Sequence, residues 1–513
     1  QNTYLLDPLV RAYPELYRHD WFVTANHHYH VVFAVTTAPL FALDPDGTGA
    51  FAICQIVVAV ATFAAICGLV TAITTRARVA LFSGILGLLV LGGDRALGGS
   101  YVFSAYLQPS SLACLAWLLA MNAWIRERGL VAGIALGVGA AFHLNYAVLG
   151  IGIFGLCELA TSRGRTDRLR RMALLLAPSL IVMVAFLPTM IASSTTNDDA
   201  LALRVLVKFC FPVHFKPRAL LHELPSLVGW WMIALLLRPE ERSGPRARLF
   251  WIAAVTMTSS IAAVVLVSIP PLLSLTRLFV WRIAPFGVLA SQLLLLVEVR
   301  EIARGARARP RGWHLVGLLV AAGAIAVNAF LRRRAPSYAE VVTCVLVGCA
   351  AAIVIRREWI VTVLCAALCA FALWSGRAPL ASPPVFAAAD SGVTKWARTS
   401  SPRDAVFLVP PFYNRFRLSA RRAIVVDLKS PPMYFDELVA WYQRLCRALD
   451  TDSLDSMPAA VVRWSGMTGD ELVAAARSFD ATYIVLDKQY NAARLVLPVV
   501  FEDSANVVYA MPR

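Results

Sequence analysis

Residues 17–22 read Tyr17-Arg18-His19-Asp20-Trp21-Phe22 and lie in a polar, aromatic stretch that covers the first fifty residues. From residue 51 to about residue 376 the chain is mostly apolar. Trp and Tyr are enriched where a protein meets the membrane–water interface. A polar, aromatic opening followed by long apolar sequence therefore predicts that residues 1–50 form an extracytoplasmic loop, with short helices on the membrane surface.

The composition favours a multi-span membrane protein. Of the 513 residues, 58% are hydrophobic, and the mean hydropathy is +0.65, whereas soluble chains average about half apolar residues. The net charge is +16, which in a soluble protein would suggest nucleic acid. Here the arginines lie in short loops between apolar segments, and the positive-inside rule explains them better. We therefore expect membrane lipids, and no nucleic acid, as partners.

The apolar segments predict a transmembrane domain of about twelve helices over residues 51–376. A spanning helix needs about 20 apolar residues, and a helix buried in protein can be shorter. By this measure the predicted helices are 51–75, 79–93, 109–125, 129–142, 145–160, 172–193, 225–238, 249–269, 277–299, 313–331, 338–355 and 359–376.

Basic residues predict the orientation of these helices. If the segments alternate, the basic loops fall on one side, which the positive-inside rule assigns to the cytoplasm of the plasma (inner) membrane. Residues 1–50 and the C-terminal region then face outward. One cluster, Arg332-Arg333-Arg334, falls on the outer side and disagrees. Because the chain opens with Gln1 in a polar loop, we expect a transmembrane helix to precede it.

After a Pro/Ala/Ser linker, residues 385–513 predict a small soluble α/β domain. Four short runs are rich in β-branched and aromatic residues, as buried strands are, and one run has apolar residues at helical spacing. The predicted strands are 405–409, 423–426, 482–486 and 506–509, and the predicted helix is 435–449.

Asp20 is the candidate catalytic residue. If the chain transfers a sugar from a lipid phosphate on the outer face, the reaction needs a carboxylate that deprotonates the acceptor hydroxyl, or that holds a metal which does so. It also needs cationic or hydrogen-bonding groups for the leaving phosphate. Asp20 lies beside Trp21 and Phe22, which would fix its depth at the interface. The alternative is that Asp20 caps a short surface helix.

Three residues are candidates for contacts with the phosphate. Arg277 and Arg282 lie near the outer end of a predicted helix, and arginine can hold a phosphate through two hydrogen bonds. Snorkelling of these side chains to the interface is the competing explanation. His143 lies at the tip of a hairpin of two short helices, and short helices at membrane depth are tolerated against protein or a water-filled cavity.

Four further residues are weaker candidates for substrate contacts. His28 and His30 could contact phosphate or ligate a metal, or they could be ordinary interfacial polar residues. Asp94 and Arg95 could form a local ion pair, or could supply a second carboxylate and a phosphate contact. The sequence predicts no metal ligand set, although it leaves a divalent metal open.

The sequence resembles bacterial membrane glycosyltransferases of the GT-C fold. Their first outer loop carries a pattern P-x-L-Y-x-x-D-x-F, to which Pro14-Glu15-Leu16-Tyr17-Arg18-His19-Asp20-Trp21-Phe22 corresponds. Residues 108–145 and 396–444 are similar to stretches in uncharacterised members of that group. Asp20 matches the functional aspartate of the family. Better-known members often carry paired acidic residues there, whereas His19 and Trp21 flank Asp20.

The resemblance implies a GT-C-like helical membrane protein with an extracytoplasmic α/β domain. Its implied activity moves a sugar from a polyprenyl-phosphate donor to an extracytoplasmic acceptor of the cell envelope. A transporter or flippase of lipid-linked material and a non-catalytic scaffold are the alternatives. In the C-terminal domain, polar residues flank a predicted strand and either cap the active-site cavity or form a solvated surface with one ion pair: Arg417, Arg421, Asp427 and Lys429. The sequence leaves the oligomeric state open.

Overall fold

The computed structural model describes most of the chain, and the structural statements below concern this part. The described residues are 2–25, 30–74, 100–104, 106–161, 165–188, 191, 198–210, 215, 220–221, 223–241, 243–303, 363, 392–432 and 434–512. The chain divides into two compact units. We call Cys54–Phe186 with Val213–Ser382 the membrane unit, and Gln1–Ile53, Leu187–Pro212 and Pro383–Arg513 the α/β unit.

The apolar sequence folds into helices. Those from residue 48 to residue 303 are α4 (Thr48–Ile73), α5 (Pro109–Ile125), α6 (Gly129–Phe142), α7 (Asn145–Thr161), α8 (Arg165–Ala185), α9 (Asp199–Arg204), a π-helix (Val205–Cys210), α10 (Leu224–Leu236), α11 (Pro245–Val267), two 3-10 helices (Pro270–Leu278 and Val280–Ile283) and α12 (Ala284–Ala303). Of these, α9 and the π-helix belong to the α/β unit, and α4 begins in that unit and continues into the membrane unit from Cys54.

Three helical stretches in the described part are long and apolar enough to cross a membrane, and shorter apolar helices accompany them. The three are Thr48–Ile73, Pro245–Val267 and Val280–Glu298. The chain is an integral membrane protein, mostly helical, with a small C-terminal sheet domain, and in these respects the predicted fold class is confirmed. The segments predicted at 79–93, 313–331, 338–355 and 359–376 lie outside the described residues, apart from residue 363.

Most of the predicted helices that lie in the described part keep their bounds within a few residues, and two differ by more. The helix predicted at 172–193 begins at Arg165 and ends at Ala185, because its first turn extends into the basic loop. The helix predicted at 277–299 becomes α-helical only at Ala284. Pro270 and Pro271 start a 3-10 segment there, and Phe279 has a left-handed backbone that interrupts it.

Trp117 of α5 lies at the centre of the membrane unit. Its ring packs on Tyr146 and Phe154 of α7 at centroid distances of 5.7 and 5.4 Å, and on Phe286 of α12 at 5.4 Å. Aromatic rings in these offset and edge-to-face geometries stabilise a core beyond their buried area. The cluster fixes α7 and α12 against α5.

Helices α6 and α8 approach closely through glycines. A Cβ atom on Gly133 would contact the backbone oxygen of Leu174 and lie 2.7 Å from that of Leu175, and one on Gly137 would lie 3.1 Å from Cβ of Pro178. Small residues let helix backbones approach within a membrane, where packing drives association. The spacing of four residues, Gly129 to Gly133 to Gly137, is a helix-packing pattern that our sequence analysis missed.

We expect Gly133→Val to disrupt the packing of α6 on α8. The new side chain would collide with backbone, which cannot move aside as a flexible side chain can, so the cost should reach about 1–3 kcal/mol or more. Gly152→Val in α7 is the matched control, because a Cβ there meets nothing within 4 Å. Thermal unfolding in detergent should show a lower midpoint for Gly133→Val alone. Equal midpoints would contradict this account of the packing.

The α/β unit contains a five-stranded sheet. Its elements are α1 (Asn2–Ala12), α2 (Trp21–Ala25), α3 (Val31–Leu43), α13 (Gly392–Ser400), β1 (Val406–Leu408), α14 (Phe416–Ala420), β2 (Ala423–Ile424), α15 (Phe435–Ala448), α16 (Met457–Ser465), α17 (Gly469–Ser478), β3 (Tyr483–Asp487), β4 (Val499–Glu502) and β5 (Asn506–Ala510), besides α9 and the π-helix. The strand order is β2-β1-β3-β5-β4; β1 is parallel to β2 and β3, whereas β5 is antiparallel to β3 and β4.

The four predicted strands and the predicted helix are all present, and β4 was missed. Strand β4 lies at the edge of the sheet, mostly exposed, and a bulge interrupts its pairing with β5 between Val499 and Phe501. In an exposed strand with a bulge, apolar and polar residues do not alternate regularly, so the sequence pattern does not indicate a strand. Inside the unit, Phe407, Val485 and Val508 lie in a core that α13 and α14 cover.

Candidate functional site

The structure brings two predicted site residues of the membrane unit together, His143 and Arg282. His143 follows the last residue of α6, and Arg282 lies in the second 3-10 helix, 139 residues further along the chain. Nη1 of Arg282 lies 3.5 Å from Nδ1 of His143 and in direct contact with its Nε2. Both side chains are partly buried.

Aromatic packing holds this pair in place. The Arg282 guanidinium lies over the ring of Phe279, 4.4 Å from its centroid, a cation–π geometry. Phe279 has φ 47°, a left-handed conformation that is uncommon for an aromatic residue and often found near functional sites. On the other side, the His143 ring packs edge-on against Tyr146 at 5.5 Å, and Tyr146 packs on Trp117.

The pair has the chemistry of an anion site. Within the described residues, the side-chain partners of Arg282 are His143 and Phe279, and neither is a carboxylate. A partly buried guanidinium without a carboxylate retains donors for a phosphate, which it can bind through two parallel hydrogen bonds. The imidazole beside it could supply one more donor to the same oxygen atoms.

Asp20 lies in the α/β unit, where it is fully buried at 0% exposure. Its Oδ2 accepts hydrogen bonds from Nε of Arg417 at 2.9 Å and from the backbone N–H of Ile424 at 3.0 Å. Its Oδ1 accepts from the backbone N–H of Val23 at 3.3 Å, at the start of α2. The helix-capping contact that we considered as the alternative role is therefore present, together with a buried ion pair.

Arg417 is shared between two buried carboxylates. Nη1 donates to Asp427 at 2.8 Å and to Ser430 at 3.1 Å, and the guanidinium lies 5.2 Å from the centroid of the Phe22 ring. Burial by itself lowers the pKa of Arg417, but the charges of Asp20 and Asp427 outweigh it and the net shift is upward. The ion pair considered for this region is present between Arg417 and Asp427, but it is buried rather than part of a solvated surface, and Arg417 also pairs with Asp20.

Tyr17 and Arg444 complete this cluster, and the sequence analysis assigned neither of them. The Tyr17 hydroxyl donates to the Arg417 carbonyl at 2.8 Å, and burial raises the pKa of that hydroxyl. Arg444 lies 5.5 Å from the Trp21 ring. Burial, with the nearby charges of Arg447 and Arg417, lowers the pKa of Arg444 to about 10. The aromatic residues beside Asp20 were the signal in the sequence for this cluster. Their partners Arg417 and Arg444 lie about 400 residues further along the chain.

The surroundings of Asp20 do not fit a metal ligand in this conformation. A cation bound to its carboxylate would face the Arg417 guanidinium, 2.9 Å from Oδ2, and would displace the hydrogen bonds that both oxygens accept. Among the described residues, no three His, Cys, Asp or Glu side chains group as a metal site.

The remaining predicted site residues are His28, His30, Asp94, Arg95 and Arg277. His30 is buried, and its ring packs edge-on against Tyr4 at 5.1 Å. Arg277 lies in the 3-10 helix Pro270–Leu278, and its side chain is outside the described part. His28, Asp94 and Arg95 lie outside the described residues. Their roles stay predictions.

Residues 388–448 match a family described as a domain of unknown function, DUF6798. No curated protein matches the chain. The chain is similar to a solved structure of ArnT from Cupriavidus metallidurans bound to undecaprenyl phosphate, with 16% identity and a TM-score of 0.42, covering 94% of this chain and 88% of that chain. It is also similar to the structure of the same protein in the apo state, with 17% identity and a TM-score of 0.43, covering 100% of this chain and 94% of that chain.

Proposed function

We propose that this chain is a membrane glycosyltransferase of the GT-C type, which moves a sugar from a polyprenyl-phosphate donor to an acceptor on the extracytoplasmic side. The observation that carries the proposal is the contact between Arg282 and His143 in the membrane unit. The donor class comes from the resemblance of residues 14–22 to the first outer loop of such enzymes. The outward orientation of the α/β unit follows from the distribution of arginines.

In this reaction an acceptor hydroxyl attacks the anomeric carbon of the sugar. The bond between that carbon and the phosphate oxygen breaks, and the polyprenyl phosphate leaves with the electron pair. Arg282 would stabilise the charge that develops on the leaving phosphate, because a guanidinium that is already fixed in place needs no reorganisation as charge appears. His143 would orient Arg282 and contact the same phosphate.

The proton of the acceptor hydroxyl needs a base that can touch it. Our sequence-based assignment of this role to Asp20 stays a prediction, and it carries a structural condition. Since Asp20 is buried against Arg417, it could reach an acceptor only if that ion pair opened. With the pair closed, Asp20 instead holds Arg417 and the start of α2 in position.

The test is sugar transfer by the full chain in proteoliposomes. A panel of polyprenyl-phosphate sugars, labelled in the sugar, is supplied with an envelope extract as the source of acceptors. We expect label to move from at least one donor to an acceptor, with release of the polyprenyl phosphate. If the labelled lipid instead became protected inside the vesicles without chemical change, the flippase alternative would replace this proposal. Unchanged, unprotected donors would favour the scaffold.

A further inference from the structure

A polar cleft of about 770 Å³ lies within the α/β unit. It is lined on one side by the end of α9, which carries Arg204, and on the other by the C-terminal end of α15 and the residues after it. Clefts of roughly 300–1,000 Å³ are the size that holds small molecules. Asp20 and Arg417 do not line it.

The walls of the cleft are held by buried aromatic packing. The π-helix begins at Val205, directly after Arg204, and its Phe209 packs edge-on against Trp441 and Tyr442 of α15 at 6.0 and 5.5 Å. The Tyr442 hydroxyl is occupied by the backbone of Leu454. Because π-helical turns are rare and often occur at functional sites, this turn is a second sign of a site here.

Two arginines line the cleft, together with Asp450 and Asp452. Arg447 lies in the last turn of α15 with its guanidinium 4.3 Å from the centroid of the Phe479 ring, and Arg204 lies across from it at the end of α9. Among the described residues, no carboxylate forms a salt bridge with either arginine. Asp450, which also lines the cleft, pairs with Arg463 at 3.6 Å. Both guanidinium groups therefore keep donors for an anion.

The remaining polar side chains suit hydroxyl groups. Gln443, Thr451 and Asp452 line the same cleft. Amide, hydroxyl and carboxylate groups together offer both donors and acceptors, as the hydroxyls of a sugar require. Asp452 also makes the cleft less suitable for a small, highly charged anion, because its carboxylate repels negative charge.

We propose that this cleft binds a saccharide that carries a phosphate group, with Arg204 and Arg447 on the phosphate and Gln443, Thr451 and Asp452 on the hydroxyls. The proposal concerns binding alone and does not rest on the proposed function. Binding itself requires neither a donor nor catalysis, so it can be measured separately.

The test is calorimetric titration of the purified full chain in detergent with glucose 1-phosphate, glucose and inorganic phosphate. We expect saturable binding of glucose 1-phosphate, and at least about tenfold weaker binding of glucose, which lacks the charge that the arginines contact. The double variant Arg204→Ala/Arg447→Ala should weaken glucose 1-phosphate binding at least about tenfold. Arg477→Ala is the matched control, because Arg477 is exposed in the last turn of α17 and does not line the cleft.

A second variant distinguishes loss of the binding site from loss of the fold. Asp452→Asn removes a like charge, so it should tighten the binding of inorganic phosphate, whereas a damaged fold would weaken it. Glucose 1-phosphate binding that is absent, or equal in the wild type and the double arginine variant, would overturn the proposal. So would weaker phosphate binding by Asp452→Asn.

The source of the ligand is resolved by repeating the titration in lipid nanodiscs. Discs of phosphatidylcholine alone are compared with discs that also contain phosphatidylinositol, a lipid whose headgroup is a phosphorylated polyol. If phosphatidylinositol competes with glucose 1-phosphate, the cleft takes a headgroup from the membrane. If it does not compete, the cleft takes a soluble ligand, and the chemistry that we propose holds in both cases.

Discussion

Asp20→Asn is expected to destabilise the α/β unit by about 3–5 kcal/mol, the usual cost of removing one partner from a buried ion pair. Asp20 is fully buried, and Arg417 is its partner at 2.9 Å. The amide keeps the size of the carboxylate but removes its charge, so Asp427 would be the one carboxylate left to Arg417 among the described residues. The free energy of unfolding can be measured by urea denaturation of the full chain in detergent, with proteolysis of the α/β unit as the readout.

The matched control is Asp46→Asn in the same unit. Asp46 pairs with Arg398 at 2.7 Å, but its side chain is 63% exposed. Exposed ion pairs contribute about 0–1 kcal/mol, so the same chemical change should have a small effect there. Equal effects at Asp20 and Asp46 would contradict the burial-based account.

A double-mutant cycle with Arg417→Gln isolates the interaction itself. Because the two groups touch, the effects of Asp20→Asn and Arg417→Gln should not add, and the interaction energy should be about 1–3 kcal/mol. Arg417→Gln also separates the two roles of Asp20, since it keeps the carboxylate. If Asp20 acts by holding Arg417, both variants lose activity when compared at equal folded fraction; if it acts only as the base, Arg417→Gln keeps most of the rate.

Arg282→Ala is expected to lower the rate of sugar transfer by about 10²–10³-fold, the usual effect of removing one group that stabilises developing negative charge. Arg282 is the guanidinium that contacts His143, and its described partners include no carboxylate. The measurement is the initial rate with the labelled donor that the wild type uses. Arg282→Lys should retain part of the rate, because lysine keeps the positive charge but cannot form the bidentate hydrogen bonds of a guanidinium with phosphate.

The control for this series is Arg128→Ala. Arg128 is an exposed arginine of the membrane unit that precedes α6, so the same truncation removes a charge far from the chemistry that we propose. Its transfer rate should stay within about twofold of wild type, since exposed surface changes are usually near neutral. A loss of rate in Arg128→Ala equal to that in Arg282→Ala would show that the assay reports general damage.

Local pattern predicted the apolar helices of the described part, the helix at 435–449 and four of the five strands, whereas α9, α13, α14, α16 and α17 were not predicted. Pro109 and Gly129 begin α5 and α6 at their predicted residues, because both ends are marked by turn-forming and basic residues. The break at Phe279 was not predicted, since a left-handed aromatic residue leaves no periodic signal. The pattern of glycines in α6 was available in the sequence and was missed.

The partners of the site residues could not be predicted in the same way. Asp20 and Arg417 are 397 residues apart, and His143 and Arg282 are 139 apart. Their side-chain types and their positions at helix ends predicted that His143 and Arg282 could bind phosphate. Sequence spacing could not predict that the two residues contact each other, because they are so far apart in the chain. Burial decided the environment of Asp20, and it depends on the α/β unit folding around residues 17–23.

The measurement that most directly tests the central claim is native mass spectrometry of the full chain with undecaprenyl phosphate as the probe. The wild type and Arg128→Ala should each retain one lipid phosphate, and Arg282→Ala should lose most of it under the same conditions. Equal retention by all three proteins, or no retention by the wild type, would contradict the claim that Arg282 and His143 hold the phosphate of a lipid-linked sugar.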